Sequence, residues 1–154
     1  MKGNSKVLDI LNEVLTAELT AINQYFIHAE MCDDWGFKKL YEAAKKESIE
    51  EMKHAERLIE RILFLEGQPN MSRYFKINVG KNVKDQHKND LQLEVEAIER
   101  LQKAIRICLE AGDDGSRELL EGIYREEEGH VDWLETQLNM IKEVGLENYL
   151  AEQM

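Results

Sequence analysis

The chain contains two matching sets of side chains able to bind a metal, each a glutamate followed 33 residues later by a Glu-x-x-His pair. The first set is Glu18, Glu51 and His54, and the second is Glu94, Glu127 and His130. Residues three apart share one face of an α-helix, so each Glu-x-x-His pair presents a carboxylate and an imidazole together. One such pair in a glutamate-rich chain means little. Two pairs with partner glutamates at equal offsets predict a site built from two halves.

The ligand types favour a pair of iron ions over zinc or copper, because the set is rich in carboxylates and supplies one imidazole per metal. It is also the pattern that di-iron four-helix bundles use. Two Fe²⁺ ions can pass electrons to O₂ or peroxide, so this redox chemistry needs no organic cofactor.

Helical periodicity places each of the four glutamates on an apolar face, where an unpaired charge would be costly to bury. No lysine or arginine lies beside them on these faces. Hydrogen bonds between carboxylates and histidines, or access of water to the carboxylates, would offer a purely structural explanation. The paired spacing favours metal ions instead.

The composition excludes several classes of protein. With a net charge of −11, the chain lacks the basic surface that is typical of a nucleic-acid binder. No apolar run is long enough to cross a bilayer, and Asp9, Asn12 and Glu13 interrupt the first apolar segment, so no secretion signal is predicted. Cys32 and Cys108 form no CxxC motif, and we expect buried, reduced thiols. We therefore predict a cytoplasmic protein that uses neither nucleic acid nor membrane.

The periodicity predicts an all-α single domain spanning residues 1–154, with four long helices and a short fifth. The predicted segments are Ser5 (as N-cap) to Gly36, Phe37 to Gly67, 83–111, Ser116 to Val144, and 146–153. Short links make the first two helices antiparallel, and likewise the third and fourth. The middle link of about fifteen residues spans up to about 50 Å when extended, and a thirty-residue helix is about 45 Å long. The link can therefore cross the whole bundle and leave helices two and three parallel.

The chain resembles the bacterioferritins, haem-binding members of the ferritin family, along essentially its whole length. The matching segments are 21-AINQYFIHA-29, 48-SIEEMKHAERLIERILFLEG-67, 127-EEGHVDWLETQL-138 and 145-GLENYL-150. The resemblance implies a ferritin-like four-helix bundle whose 24 copies, built from dimers, form a shell that oxidises Fe²⁺ and stores ferric mineral. It implies that the six residues above form a ferroxidase site with Glu51 and Glu127 bridging two Fe ions per subunit. It leaves open a second co-assembling subunit type, a ferredoxin-type reductant, and O₂ or H₂O₂ as the oxidant.

Met52 lies within the first Glu-x-x-His pair but points about 130° away from its face. It shares that outer side with Ile59 and Leu63, and the first helix has a second apolar set. That set is Leu8, Leu15, Leu19 and Phe26. Two apolar sides on one helix pair predict a subunit interface, and interface packing alone would account for Met52. The resemblance implies instead that Met52 of two subunits ligates one shared b-type haem, which aids iron release.

Three positions depart from the pattern of the resemblance, where 45, 46 and 50 carry tyrosine, histidine and aspartate. Here they are Lys45, Lys46 and Glu50, which puts an inner-surface iron site in doubt although Glu47 remains. Tyr25 lies on the face of Glu18. It is either a core tyrosine bonded to a ligand carboxylate or an electron donor near the metals.

Other functions remain open at this point. A rubrerythrin-like peroxidase shares the di-iron bundle but normally carries a Cys₄ iron domain, for which this chain has no CxxC pairs. A small DNA-protecting ferritin relative takes its ligands across a subunit interface, whereas this chain holds a complete set. The non-enzymatic alternative is an electron-transfer or structural shell subunit that binds haem through Met52 and makes little use of its di-iron site.

Overall fold

The computed structural model describes all of residues 1–154 and contains five α-helices and no strand. The helices are α1 (Ser5–Asp34), α2 (Lys38–Phe64), α3 (Val83–Glu110), α4 (Asp114–Val144) and α5 (Leu146–Ala151). The predicted fold is confirmed: α1 packs against α2, α3 against α4, and the short α5 against α4. No helix is both long enough and apolar enough to span a membrane.

The helix ends differ from the prediction by a few residues. Asn4, rather than Ser5, is the N-cap of α1, because its side-chain oxygen accepts from the amides of Lys6 and Val7. In the same way Asp113 caps α4 by accepting from the amide of Ser116, so α4 begins two residues earlier than predicted. Gly145 ends α4 with a φ of 85°, a left-handed value that favours glycine, and turns the chain directly into α5.

The crossover, residues 65–82, runs along α1 from one end of the bundle to the other. Its backbone amides donate to α1 side chains that follow one another along that helix. These bonds are Asn70 to Asn12 (2.8 Å), Phe75 to Thr20 (2.9 Å), Asn78 to Gln24 (3.1 Å) and Gly80 to His28 (2.9 Å). Because the crossover returns the chain to the far end, α2 and α3 are parallel, as predicted.

The bundle interior has an apolar region at each end and a polar region between them. The larger region holds fifteen buried residues from all four long helices, including Leu11, Leu58 and Leu101. The smaller region lies at the other end, where Tyr149 of α5 packs against Cys32 and four partly buried aromatic and aliphatic side chains close over it. The four glutamates of the predicted site lie between these regions.

The prediction that α1 carries a second, outward-facing apolar side is wrong for two of its residues. Leu15 and Leu19 belong to the main core and are 0% and 7% exposed, because they pack into the apolar cluster that all four long helices share. Phe26, Met52 and Leu63, however, are each more than half exposed. The apolar surface open to a partner is therefore smaller than the helical pattern predicted.

Both cysteines are free and buried, as predicted. Burial raises the pKa of the Cys32 thiol and that of the Cys108 thiol, each to about 11.

Candidate metal centre

The structure brings the six predicted side chains together in the middle of the bundle, and we call them the carboxylate cluster. Each long helix contributes one buried glutamate, and α2 and α4 add one histidine each. The members are Glu18, Glu51, His54, Glu94, Glu127 and His130. All four glutamates are at most 2% exposed. The equal spacing in the two halves of the sequence thus produces two facing halves of one site.

The cluster divides into two groups, each with ligand atoms that lie within 4.8 Å of one another. One group is Glu18, Glu51, His54 and Glu127, and the other is Glu51, Glu94, Glu127 and His130. Two residues, Glu51 and Glu127, belong to both groups. This sharing is the arrangement expected of two neighbouring metal positions with bridging carboxylates.

Glu51 offers one oxygen to each half of the cluster. Its Oε2 lies 3.7 Å from Nδ1 of His54, and its Oε1 lies 3.1 Å from Nδ1 of His130. Glu127 instead presents the same atom, Oε1, to Nδ1 of both histidines, at 3.1 Å and 3.3 Å. The two carboxylates therefore lie between the histidines in different orientations.

The outer nitrogen of each histidine contacts a further carboxylate that the sequence analysis did not place in the site. Nε2 of His54 donates to Glu126, and Nε2 of His130 lies 2.8 Å from Oε2 of Glu47. A histidine held in this way by its outer nitrogen directs the other one at a metal. Glu47 precedes Glu51 by one helical turn, so spacing could have revealed it. Glu126 lies on the flank of α4, and its spacing from the members of the cluster gives no indication that it belongs to the site.

Tyr25 donates a hydrogen bond of 2.9 Å to Oε1 of Glu94. This contact is the one expected of a core tyrosine bonded to a ligand carboxylate, and it leaves Oε2 of Glu94 directed at His130, 3.7 Å away. Burial and the nearby charge of Glu94 raise the pKa of Tyr25 well above its ordinary value, so the phenol is neutral near pH 7.

The chemistry of the cluster fits divalent metal ions. One oxygen of each glutamate and Nδ1 of each histidine are buried without a hydrogen-bond partner outside the cluster. Several buried carboxylates facing one another repel, and cations placed among them would satisfy these atoms together. No lysine or arginine approaches these atoms, so metal ions are the cations that fit.

The pKa values of Glu51 and His54 are shifted by the same crowding of buried carboxylates. Burial, together with the neighbouring charges of Glu127 and Glu18, raises the pKa of Glu51 well above its ordinary value. Burial by itself would lower the pKa of His54, but hydrogen bonds to Glu127 and Glu18 outweigh it and raise this pKa to about 11. Without metal, protons on the histidines take the place of the cations that the carboxylates require.

A cavity of about 40 Å³ lies between α1, α3 and the crossover. Its lining includes Glu18, Glu51 and Glu127 of the cluster, together with Phe75 and Gln92. A space of this size is large enough for water. The buried cluster therefore borders a small cavity.

Comparison with known proteins places the chain in a family. A family profile described as Ferritin-like domain matches residues 8–144. Bacterioferritin of Mycolicibacterium paratuberculosis is 47% identical over 152 residues, covering 99% of this chain and 96% of the relative. Bacterioferritin of Streptomyces coelicolor is 46% identical over 98% of this chain and 90% of the relative, and that of Brucella melitensis 42% over 97% and 92%. The chain belongs to the bacterioferritin family.

The residue predicted to bind haem lies outside the carboxylate cluster. Met52 is 54% exposed on the outer side of α2, although it lies between two members of the cluster in sequence. At the first of the three departing positions, Nζ of Lys45 donates to the hydroxyl of Tyr41 at 3.0 Å and lies over its ring. The other lysine, Lys46, is exposed, and Glu50 pairs with Lys53 at 3.6 Å.

Proposed function

We propose that this protein oxidises Fe²⁺ at the carboxylate cluster and stores the ferric product. The observation that carries the proposal is the sharing of Glu51 and Glu127 between two groups of metal-binding atoms. The relatives named Bacterioferritin support iron as the metal, because this chain covers nearly their whole length. The carboxylate-rich donor set, with one imidazole per position, suits iron.

In this proposal the substrate is a pair of Fe²⁺ ions. Glu18 and His54 would bind one ion, Glu94 and His130 the other, and Glu51 and Glu127 would bridge them. Each Fe²⁺ loses one electron. The two electrons, with two protons, reduce O₂ to H₂O₂ or reduce H₂O₂ to two water molecules.

The side chains of the cluster would contribute binding, orientation and proton movement. Fe²⁺ displaces the protons that the histidines carry in the metal-free protein, because ligand nitrogens must be unprotonated. The hydrogen bond from Tyr25 fixes Glu94, while a role for Tyr25 as electron donor stays a prediction. In this proposal the cavity beside Glu18 would be the place where the ions and the oxidant approach the cluster.

The proposal includes a shell. We infer that residues 1–154 act as a single domain, that dimers of it assemble into a cytoplasmic 24-subunit particle, and that the mineral forms inside. A co-assembling second subunit type and a ferredoxin-type reductant remain predictions. The exposed apolar side chains of Phe26, Met52 and Leu63 supply a surface suited to the dimer contact.

The haem proposal concerns the same surface. The thioether of Met52 fits a haem ligand because its side chain is 54% exposed and is not committed to packing within the protomer. Two copies of Met52 across a twofold axis would hold one b-type haem between them. Bound there, the haem would supply one-electron transfer toward the stored iron.

Iron oxidation in the haem-free shell tests the ferroxidase role and separates it from that of a haem-binding shell subunit. With two Fe²⁺ per subunit, we expect a rapid phase of oxidation in the wild type and its loss in Glu127→Ala, because this variant lacks a carboxylate that both metal positions share. The matched control is Glu128→Ala, which removes a neighbouring exposed carboxylate. An unchanged rapid phase in Glu127→Ala contradicts the proposal. Repeating the experiment with O₂ and with H₂O₂ identifies the oxidant and tests the peroxidase alternative.

An absorption spectrum tests the haem proposal. Wild-type shells reconstituted with haem are expected to show a low-spin b-type spectrum in oxidised and reduced form, and Met52→Leu shells are not. A wild type without this spectrum identifies Met52 as an interface packing residue.

A further inference from the structure

We propose that Arg57 and Glu126 are positioning residues that fix the imidazole of His54 for metal binding. This inference rests on the proposed function, because it concerns one half of the same cluster. It assigns a role to two charged side chains that lie outside the predicted ligand set.

The first observation is the orientation of His54. Its side chain is completely buried, with Nε2 donating to Oε2 of Glu126 and Nδ1 facing the cluster. Nδ1 lies 3.1 Å from Oε1 of Glu127 and 3.5 Å from Oε2 of Glu18. A carboxylate on Nε2 keeps the proton there, so that Nδ1 offers its lone pair to a metal.

The second observation is that Glu126 is itself held in place. A guanidinium nitrogen of Arg57 donates to Oε2 of Glu126 at 2.7 Å, the same oxygen that receives Nε2 of His54. Arg57 and His54 are three residues apart on α2, and Glu126 reaches them from α4. One carboxylate oxygen thus connects two helices and restricts the rotation of the His54 ring.

The third observation is that the two halves of the cluster differ in this respect. The outer carboxylate of His130 is Glu47, at 2.8 Å from Nε2, and no lysine or arginine pairs with it. The side chain of Glu47 is 22% exposed, whereas that of Glu126 is 46% exposed and depends on Arg57 for its position. An effect transmitted through Arg57 and Glu126 should therefore reach the His54 half only.

Cobalt titration of the metal-free shell tests this inference. Co²⁺ alone serves as the probe because its visible absorption reports each bound ion. We expect Glu126→Ala to weaken Co²⁺ binding in the His54 half by about 10–100-fold. Arg57→Ala should cause a smaller loss in the same half. In the double variant, the loss should equal that of Glu126→Ala alone, because Arg57 acts through Glu126. The controls are Glu128→Ala and Arg125→Ala, which remove exposed charges on α4.

Combining Glu126→Ala with the loss of either histidine assigns the weaker Co²⁺ binding to one half of the cluster. With His130→Ala, which leaves the His54 half intact, Glu126→Ala should still weaken Co²⁺ binding. With His54→Ala, Glu126→Ala should cause no further loss, whereas a general electrostatic or structural role would cause one.

Wild-type Co²⁺ affinity in either Glu126→Ala or Arg57→Ala overturns the inference while leaving the proposed function intact. A wild-type shell that binds no pair of Co²⁺ ions overturns the proposed function itself. If Glu126→Ala does not assemble, Arg57→Ala decides alone, because unchanged binding in that variant is sufficient to reject the role.

Discussion

The imidazole rings of His54 and His130 lie nearly parallel, with centroids 6.3 Å apart and an angle of 18° between their planes. The two rings come from α2 and α4, and both direct Nδ1 at Oε1 of Glu127. The site therefore forms only when the four-helix bundle of one chain is folded, because α2 and α4 each supply a single histidine. This arrangement also shows why removal of a single carboxylate should affect both halves.

Replacement of Glu51 by glutamine should separate function from stability. Rapid oxidation of Fe²⁺ should be lost, because an amide is a poor replacement for a bridging carboxylate. The metal-free protein should melt at an equal or higher temperature, since burial and repulsion raise the pKa of Glu51 and the neutral amide avoids that cost. Each kcal/mol gained corresponds to about 2–4 °C. Calorimetry of the metal-free protein measures the difference, with Glu56→Gln, at an exposed position, as control. A large fall in melting temperature would contradict this account.

His87 should make the protein less stable in acid. Burial lowers the pKa of His87 to about 4, so it stays neutral in the folded state while the unfolded chain takes up a proton near pH 6.5. The contribution of neutral His87 to the free energy of unfolding is therefore fully present above about pH 6.5 and is lost as the pH falls toward 4. The loss is on the order of 3 kcal/mol.

The measurement is the guanidinium unfolding midpoint of the wild type and of His87→Gln at pH 7 and pH 4.5. The variant loses the contact of His87 with the Tyr149 hydroxyl (3.0 Å) at both pH values, although this hydroxyl still donates to Gln137. It should nevertheless show a shallower decline in stability between the two pH values. Parallel declines in the two proteins would exclude His87 as the source.

His28 should control the attachment of the crossover to α1. Its Nε2 accepts from the amide of Gly80 at 2.9 Å, and its Nδ1 lies 2.9 Å from Oδ1 of Asp90. Replacement by alanine leaves the buried amide of Gly80 without a partner, and Asp90 keeps only the hydrogen bond from Gln24. An unsatisfied buried group costs about 1–3 kcal/mol. We expect faster hydrogen exchange in residues 75–80, measured by mass spectrometry, with little change in α4. Asn89→Ala is the control, because the side chain of Asn89 donates an exposed hydrogen bond to the backbone oxygen of Asn78 in the crossover. Equal exchange in the two variants would argue against a special role for His28.

The two thiols should be unreactive in the folded protein. Cys32 and Cys108 are 3% and 0% exposed, and burial raises the pKa of each thiol to about 11, so little thiolate forms at pH 8. A disulfide reagent such as DTNB should label fewer than one thiol per chain over an hour at pH 8 and both thiols after unfolding. Fast labelling of the native protein would show that one end of the bundle opens.

The predictable part of the fold followed from local rules. Apolar periodicity gave the four long helices and the short fifth within a few residues, and the length of the middle link gave its crossover topology. The N-caps were less predictable: Ser5 and Asn4 are both good capping residues, and only the backbone geometry at Asn4 decides between them. The side of α1 that carries Leu15 and Leu19 was assigned wrongly, since helical angle gives direction but not which neighbour covers it.

The sequence by itself determined which six side chains meet, because the offset of 33 residues occurs in both halves, the two halves lie 76 residues apart, and helix geometry converts this spacing into shared faces. Tertiary structure decided how they meet: that Glu51 divides its oxygens between the histidines, that Glu126 and Glu47 hold the outer nitrogens, and that Met52 is exposed. The physical reason is that spacing fixes the direction of a side chain from its own helix. Its partners depend on the distance and rotation between helices, which packing of the entire bundle sets.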